Sequence, residues 1–196
     1  MKNQEIFKDI SLTFEKGKAV GLVGLNGSGK SMLLKAICGF ITIDSGEITI
    51  DDEKVAVGNY LKDAGIIIEH ADFLYNYTGL QNLQFLAEIQ NKISDLDILS
   101  TLKKVGLEEA KDKKVKNYSL GMKQRLRIAQ AIMEDPQILI LDEPFNGLDK
   151  KGVEEVRKIL LELKKQDKTI LMTSHNSADI EILCDEVYEL ERGELI

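Results

Sequence analysis

The stretch Gly24-Leu25-Asn26-Gly27-Ser28-Gly29-Lys30-Ser31 sets the architecture expected of this chain. It follows a short apolar run, Ala19-Val20-Gly21-Leu22-Val23, and leads into Ser31-Met32-Leu33-Leu34-Lys35-Ala36-Ile37-Cys38, which closes at Gly39. Strand, glycine loop and helix in that order are the setting in which G-x-x-x-x-G-K-[ST] cradles phosphate. Glycines let backbone N–H groups turn inward against phosphate oxygens with no Cβ in the way. Lys30 is placed to neutralise β- and γ-phosphate charge, and the Ser31 hydroxyl to ligate Mg2+. The helix N-terminus adds a favourable field. Residues Gly24 through Met32 are the candidate nucleotide-binding set.

Outward from the loop, Gly65-Ile66-Ile67-Ile68, Ile138–Leu141 and Thr169–Thr173 are continuous β-branched and leucine runs, the pattern of parallel strands covered on both faces. Ser45-Gly46 turns into a short alternating strand, Glu47-Ile48-Thr49-Ile50, and residues 187–196 predict a terminal hairpin. Between Asp72 and Asp135 strand signals vanish, and helical periodicity takes over at 80–90, 96–105 and 120–133. Residues 152–165 predict an amphipathic helix with Val153, Val156, Leu160 and Leu163 on one face, and Glu154 paired with Lys158 on the other. One α/β domain over 1–196 is expected, with 1–71 and 135–196 forming a parallel core and an antiparallel β subdomain. Residues 72–134 form an inserted helical subdomain.

Further residues carry chemistry. Asp142 ends a buried apolar strand, where a carboxylate is costly unless paired or metal-bound, and holding Mg2+ is its natural role. Glu143 follows, pointing the opposite way, and can polarise an attacking water. In Tyr118-Ser119-Leu120-Gly121-Met122-Lys123-Gln124, Ser119 stands where a helix N-cap belongs. Its bland reading is an ordinary capped helix; its functional reading is a helix N-terminus aimed at a γ-phosphate. His175, one of two histidines, follows the run ending at Ser174, and ligands of α/β sheets bind at such strand ends.

The composition fits a globular protein: 196 residues, 43% hydrophobic and 30% charged. A formal net charge of −7 argues against nucleic acid as partner. Cys38 and Cys184 lack metal-ligand spacing, and Cys38 reads as a small buried hydrophobe. No apolar run reaches the length needed to cross a bilayer, and Met1-Lys2-Asn3-Gln4 carries no signal-peptide core. Work at a membrane therefore implies docking on something else.

These motifs, in this order, resemble the nucleotide-binding domain of ATP-binding cassette transporters over essentially the whole chain. In that resemblance Gly24 to Ser31 is Walker A, Tyr118 to Met122 the signature loop, and Ile138 to Glu143 Walker B. Asn146-Gly147-Leu148-Asp149 is the D-loop and His175 the switch histidine. The resemblance implies a RecA-like P-loop NTPase fold and a cytoplasmic ATPase using ATP and Mg2+. It implies a head-to-tail homodimer in which Ser119 and Gly121 of one chain complete the ATP site of the other, with Lys30, Glu143 and His175 catalytic. It also implies integral membrane permease partners, with the chain peripheral on the inner face of the cell membrane.

The signature L-S-G-G-Q is here Y-S-L-G-M, with Leu120 in place of the first glycine. Glu69 stands where the family has a glutamine; it can still ligate Mg2+ or water through an oxygen but adds negative charge near the γ-phosphate. Y-S-L-G-M-K-Q-R-L together with that glutamate is similar to exporters of the bacitracin and lantibiotic self-protection type. The resemblance puts the family's adenine-stacking aromatic at or before Met1 and leaves its first strand unmatched; either the sequence is truncated there or the base is held loosely, and weaker discrimination between ATP and GTP than in a complete domain is the expectation. Soluble relatives of DNA repair carry a long coiled coil or zinc-binding cysteines between Walker A and the signature; residues 31–119 hold one cysteine and no long heptad run. Translation-factor relatives carry two cassettes, and this chain has one. A binding module that has lost hydrolysis is opposed by Glu143, Lys30 and His175.

Overall fold

The computed structural model describes residues 6–69 and 73–196. In chain order the first half contains β1 (Ala19–Val23), α1 (Lys30–Ile37), β2 (Thr49–Ile50), β3 (Glu53–Lys54), β4 (Ala64–Ile67), α2 (Gly79–Gln90) and α3 (Asp95–Lys104). The second half contains α4 (Leu120–Ile132), β5 (Ile138–Leu141), α5 (Lys150–Lys165), β6 (Thr169–Thr173), α6 (Ser177–Leu183), β7 (Glu186–Glu191) and β8 (Glu194–Leu195). Short 3-10 turns at Glu108–Ala110 and Val115–Asn117 lead into α4.

The main sheet runs β4-β5-β6-β1-β7-β8, parallel except for the antiparallel β7–β8 hairpin at its edge. The apolar runs are continuous because both faces are covered. Leu139 and Leu141 of β5, with Ile170 and Met172 of β6, join one core with Ile128 and Ala129 of α4 and Val156 and Leu160 of α5. Ile140 and Leu171, one residue out of phase, join the other with Leu33, Leu34 and Cys38. The period-two alternation of a strand sends neighbours to opposite faces, so a strand between two helical layers is apolar throughout. Each fully buried leucine contributes about 1.5–3 kcal/mol.

Helix boundaries follow their caps. Thr78 caps α2 in a reciprocal capping box with Gln81, Ser119 caps α4, and Asp149 caps α5. α4 lies close against β4: a Cβ on Gly65 would sit 1.9 Å from the Ala131 carbonyl oxygen, so glycine permits this approach. One core thereby runs from the sheet into the helices of residues 73–134.

Several expectations change. The 47–50 strand is reduced to β2, which pairs with β3, and the sequence reading gave no strand there. The terminal hairpin forms, but β7 also joins the parallel sheet beside β1. α6 follows β6 where the sequence pattern predicts no helix. On α5 the i,i+4 ion pair is Lys151 with Glu155 rather than Glu154 with Lys158. Val153 is half-buried while Ile159 is buried, so the apolar face is rotated toward Ile159. Asp72, the expected start of the helical segment, and the position of the adenine-stacking aromatic lie outside the described residues.

Candidate nucleotide site

Strand register brings the motifs together. Leu22 of β1 is level with Thr173 of β6, and Leu141 of β5 is level with Met172 of β6 and Ile67 of β4. The segments that follow these parallel strands therefore emerge side by side at the carboxyl edge of the sheet, where α/β folds bind ligands. They are the glycine loop, Asp142-Glu143, Ser174-His175 and Ile68-Glu69.

The glycine loop turns as its residues predict. Gly24 has φ +143°, and a Cβ there would lie 2.3 Å from the Leu190 carbonyl oxygen, so no other residue fits. Gly29 precedes α1 in the left-handed region and exposes the helix N-terminus. Lys30 is buried, and its Nζ donates to the carbonyls of Gly24 at 2.8 Å and Leu25 at 3.1 Å. Those bonds satisfy the buried ammonium and tie it across the loop.

Asp142 is held from both sides. Its Oδ2 accepts from Ser31 Oγ at 2.6 Å and its Oδ1 from Thr173 Oγ1 at 2.7 Å, while its N–H donates to Ile67 O at 2.7 Å. Thr173 Oγ1 also accepts from the Glu143 N–H at 2.9 Å. Glu143 has φ +50°, a conformation that costs a non-glycine residue roughly 1–2 kcal/mol and survives only where its surroundings enforce it. Its Oε1 lies 2.8 Å from His175 Nδ1; the carboxylate is mostly buried and the imidazole 63% exposed. Lys35 Nζ donates to Glu69 Oε1 at 2.5 Å, so this carboxylate is engaged by a lysine of α1.

A cleft of about 720 Å³ passes between the glycine loop from Asn26 to Met32 and the acidic group of Glu69, Asp142 and Glu143. Such a volume suits a nucleotide-sized ligand. Ser31 and Asp142 offer the hard oxygen donors that Mg2+ takes, and two protein oxygens match an ion that keeps waters and binds substrate phosphates. No cluster of three or more His, Cys, Asp or Glu side chains suited to a metal occurs among the described residues.

Gly24, Leu25, Ser119, Gly121 and His175 do not line this cleft. Ser119 is exposed and accepts from Met122 N–H at 3.2 Å as the cap of α4. Leu120 is 62% exposed, and its side chain lies against Gly147 of the loop after β5, where an added Cβ would meet Leu120 Cγ at 2.6 Å.

The residues 7–146 match the family described as ABC transporter. The chain belongs to the ABC transporter family. It is the ATP-binding ATPase domain of that family. It is 48% identical over 196 residues to the uncharacterized ABC transporter ATP-binding protein YybJ of Bacillus subtilis, covering all of this chain and 90% of that protein. It is 38% identical to the bacitracin transport ATP-binding protein BcrA of Enterococcus faecalis, over 97% of this chain and 63% of BcrA. With the lantibiotic transport ATP-binding protein SrtF of Streptococcus pyogenes it shares 36% identity, over 97% of this chain and 82% of SrtF. The cassette MJ0796, in a dimeric post-hydrolysis state bound to ADP and Pi, superimposes with a TM-score of 0.87 at 25% identity, over 97% of this chain and 88% of that one. The likeness to bacitracin and lantibiotic transport proteins agrees with the reading of Y-S-L-G-M-K-Q-R-L.

For this ABC transporter domain, sequence reasoning missed Thr173, whose hydroxyl joins Asp142 to the Glu143 backbone, and Lys35, which meets Glu69. It also gave no cleft role to Ile6 and Arg192, or to Gln124 and Asn146 of the signature stretch and the D-loop, all of which line the cleft. Gln124 lies just past the signature loop, and Thr173 ends a strand run beside His175, but neither carries a local pattern of its own. Cys38 is buried and its thiol pushed up to about 12 by desolvation, as a small buried hydrophobe requires.

Proposed function

We propose that this domain hydrolyses ATP as the motor of a membrane exporter, with Glu143 as the base that activates water. The observation that carries this is the 2.8 Å contact between Glu143 Oε1 and His175 Nδ1 beside the Ser31–Asp142 pair. Gly24, Leu25, Asn26, Gly27, Ser28, Gly29 and Met32 contribute the backbone cradle for the triphosphate, and Lys30 exchanges its loop carbonyls for phosphate oxygens. Ser31 and Asp142 would hold Mg2+, and Glu69 could add an oxygen; bound there, Mg2+ would supply charge neutralisation of the phosphates. Glu143 accepts the proton of the attacking water, and His175 orients the carboxylate through Nδ1.

Ser119 and Gly121 are exposed or half-exposed and outside the cleft of their own chain, which supports completion of each ATP site by a second copy. There the N-terminus of α4 would stabilise γ-phosphate charge in trans. An apolar surface around α2, with Leu74, Tyr77, Phe85 and Ile89 exposed, supports docking of an integral membrane permease, which would keep the domain peripheral on the inner face of the membrane. No helix among the described residues is long and apolar enough to cross a membrane. Likeness to BcrA and SrtF favours an antimicrobial peptide or drug as cargo.

The deciding experiment is gel filtration of Glu143→Gln with saturating ATP and Mg2+. An ATP-dependent dimer is expected because binding proceeds while hydrolysis stops. A monomer under those conditions overturns the trans-site reading.

A further inference from the structure

We infer that Arg127, through Gln124, positions the backbone of Glu143 for hydrolysis and is therefore a positioning residue of the ATPase reaction. Both side chains are buried on α4, at 8% and 3% exposure. Arg127 Nη1 donates to Gln124 Oε1 at 3.0 Å, and Gln124 Nε2 donates to the Pro144 carbonyl at 2.9 Å. A guanidinium can only donate and a backbone carbonyl can only accept. Arg127 therefore dictates which way the Gln124 amide faces, leaving the NH2 group for Pro144.

Pro144 matters because of the residue before it. Glu143 sits at φ +50° and precedes a proline, which supplies no N–H. The strained residue is held at its own N–H by Thr173 Oγ1. On its far side its own carbonyl accepts from the Asn146 N–H at 3.2 Å, and the Gln124 bond to the Pro144 carbonyl fixes the next peptide. Gln124 also lines the nucleotide cleft. The same helix begins at the Ser119 cap, so α4 links the signature loop to the carboxylate of its own chain.

Arg127 is poorly suited to a purely stabilising role. Its Nε is buried with no hydrogen-bond partner, and the desolvation penalty of a buried guanidinium with incomplete partners can exceed what its bonds return. An apolar side chain of similar length is expected to leave the fold as stable or more so, which separates positioning from support.

The inference rests on Glu143 as the base, and the test keeps the two apart. Steady-state ATPase rates and melting temperatures are measured on the full chain for Arg127→Met, Gln124→Ala, the double variant, Gln124→Glu and Glu143→Gln. Arg127→Met is expected to lower kcat about three- to tenfold, the rate equivalent of one amide hydrogen bond, with KM and melting temperature held. The double variant is expected to be no slower than Gln124→Ala, since Arg127 acts through that amide. Gln124→Glu keeps the Arg127 contact but sets an oxygen against the Pro144 carbonyl, and is expected to lose kcat while folding normally. Wild-type kcat in Arg127→Met or Gln124→Glu, additive losses in the double variant, or parallel falls in stability and kcat overturn the inference. If Glu143→Gln retains turnover, the base assignment fails instead.

Discussion

Ser31 Oγ donates to Asp142 Oδ2 across 2.6 Å, joining the first turn of α1 to the end of β5 over 111 positions of sequence. Thr173 completes the grip from β6. Replacing Asp142 with Asn keeps the shape but removes the charge and one acceptor. A charge-assisted hydrogen bond is worth about 1.5–3 kcal/mol, so Mg2+-dependent ATP affinity is expected to fall about tenfold or more. Calorimetric titration with and without Mg2+ checks this; unchanged Mg2+ dependence would remove Asp142 from the metal site.

Glu143→Gln is expected to lower kcat by about 10²–10⁴, the usual contribution of a general base, with ATP binding retained. His175→Ala is expected to lower kcat less, because Glu143 keeps its backbone anchor at Thr173. Phosphate-release kinetics distinguish them. Equal loss in both would make His175 a reacting group rather than an orienting one.

Glu69→Gln removes a negative charge from the cleft and its ion pair with Lys35. The Glu69 side chain is 63% exposed, and exposed pairs contribute about 0–1 kcal/mol, so melting temperature is expected to stay nearly constant. Tighter ATP binding is the expected gain, read by titration. The Gln amide keeps an oxygen for Mg2+, so weaker binding would show that the site needs the carboxylate charge as well as an oxygen.

Burial pushes the Cys38 thiol up to about 12 and the Cys184 thiol up to about 11, from 9.0 for a free thiol. Folding therefore favours the protonated form of both. Their contribution to stability is full below pH 9 and is lost as pH rises toward 11–12, where the folded thiols also ionise. Thiol labelling at pH 8 is expected to be slow in native protein and fast in urea. Rapid native labelling of Cys38 would contradict its burial.

Leu126 is fully buried on α4. Leu126→Ala is expected to cost about 2–5 kcal/mol in urea unfolding. A loss below that range would mean that the helical layer collapses around the cavity.

The local chemistry of this protein was legible without coordinates. Glycine spacing announced the turn at Gly24, unbroken apolar runs announced strands buried on two faces, and Ser119 announced the start of α4. These are properties of neighbouring residues, since backbone freedom, period and capping act over a few positions. What only the tertiary structure decided was which distant groups meet. Strand order and register set Thr173 between Asp142 and the Glu143 N–H, tied Lys35 to Glu69, and brought Gln124, itself held by Arg127, to the Pro144 carbonyl. No sequence period encodes those contacts, because they arise from packing α4 on β4 and β5 beside β6, where hydrogen-bond geometry between buried polar groups is settled by the fold as a whole.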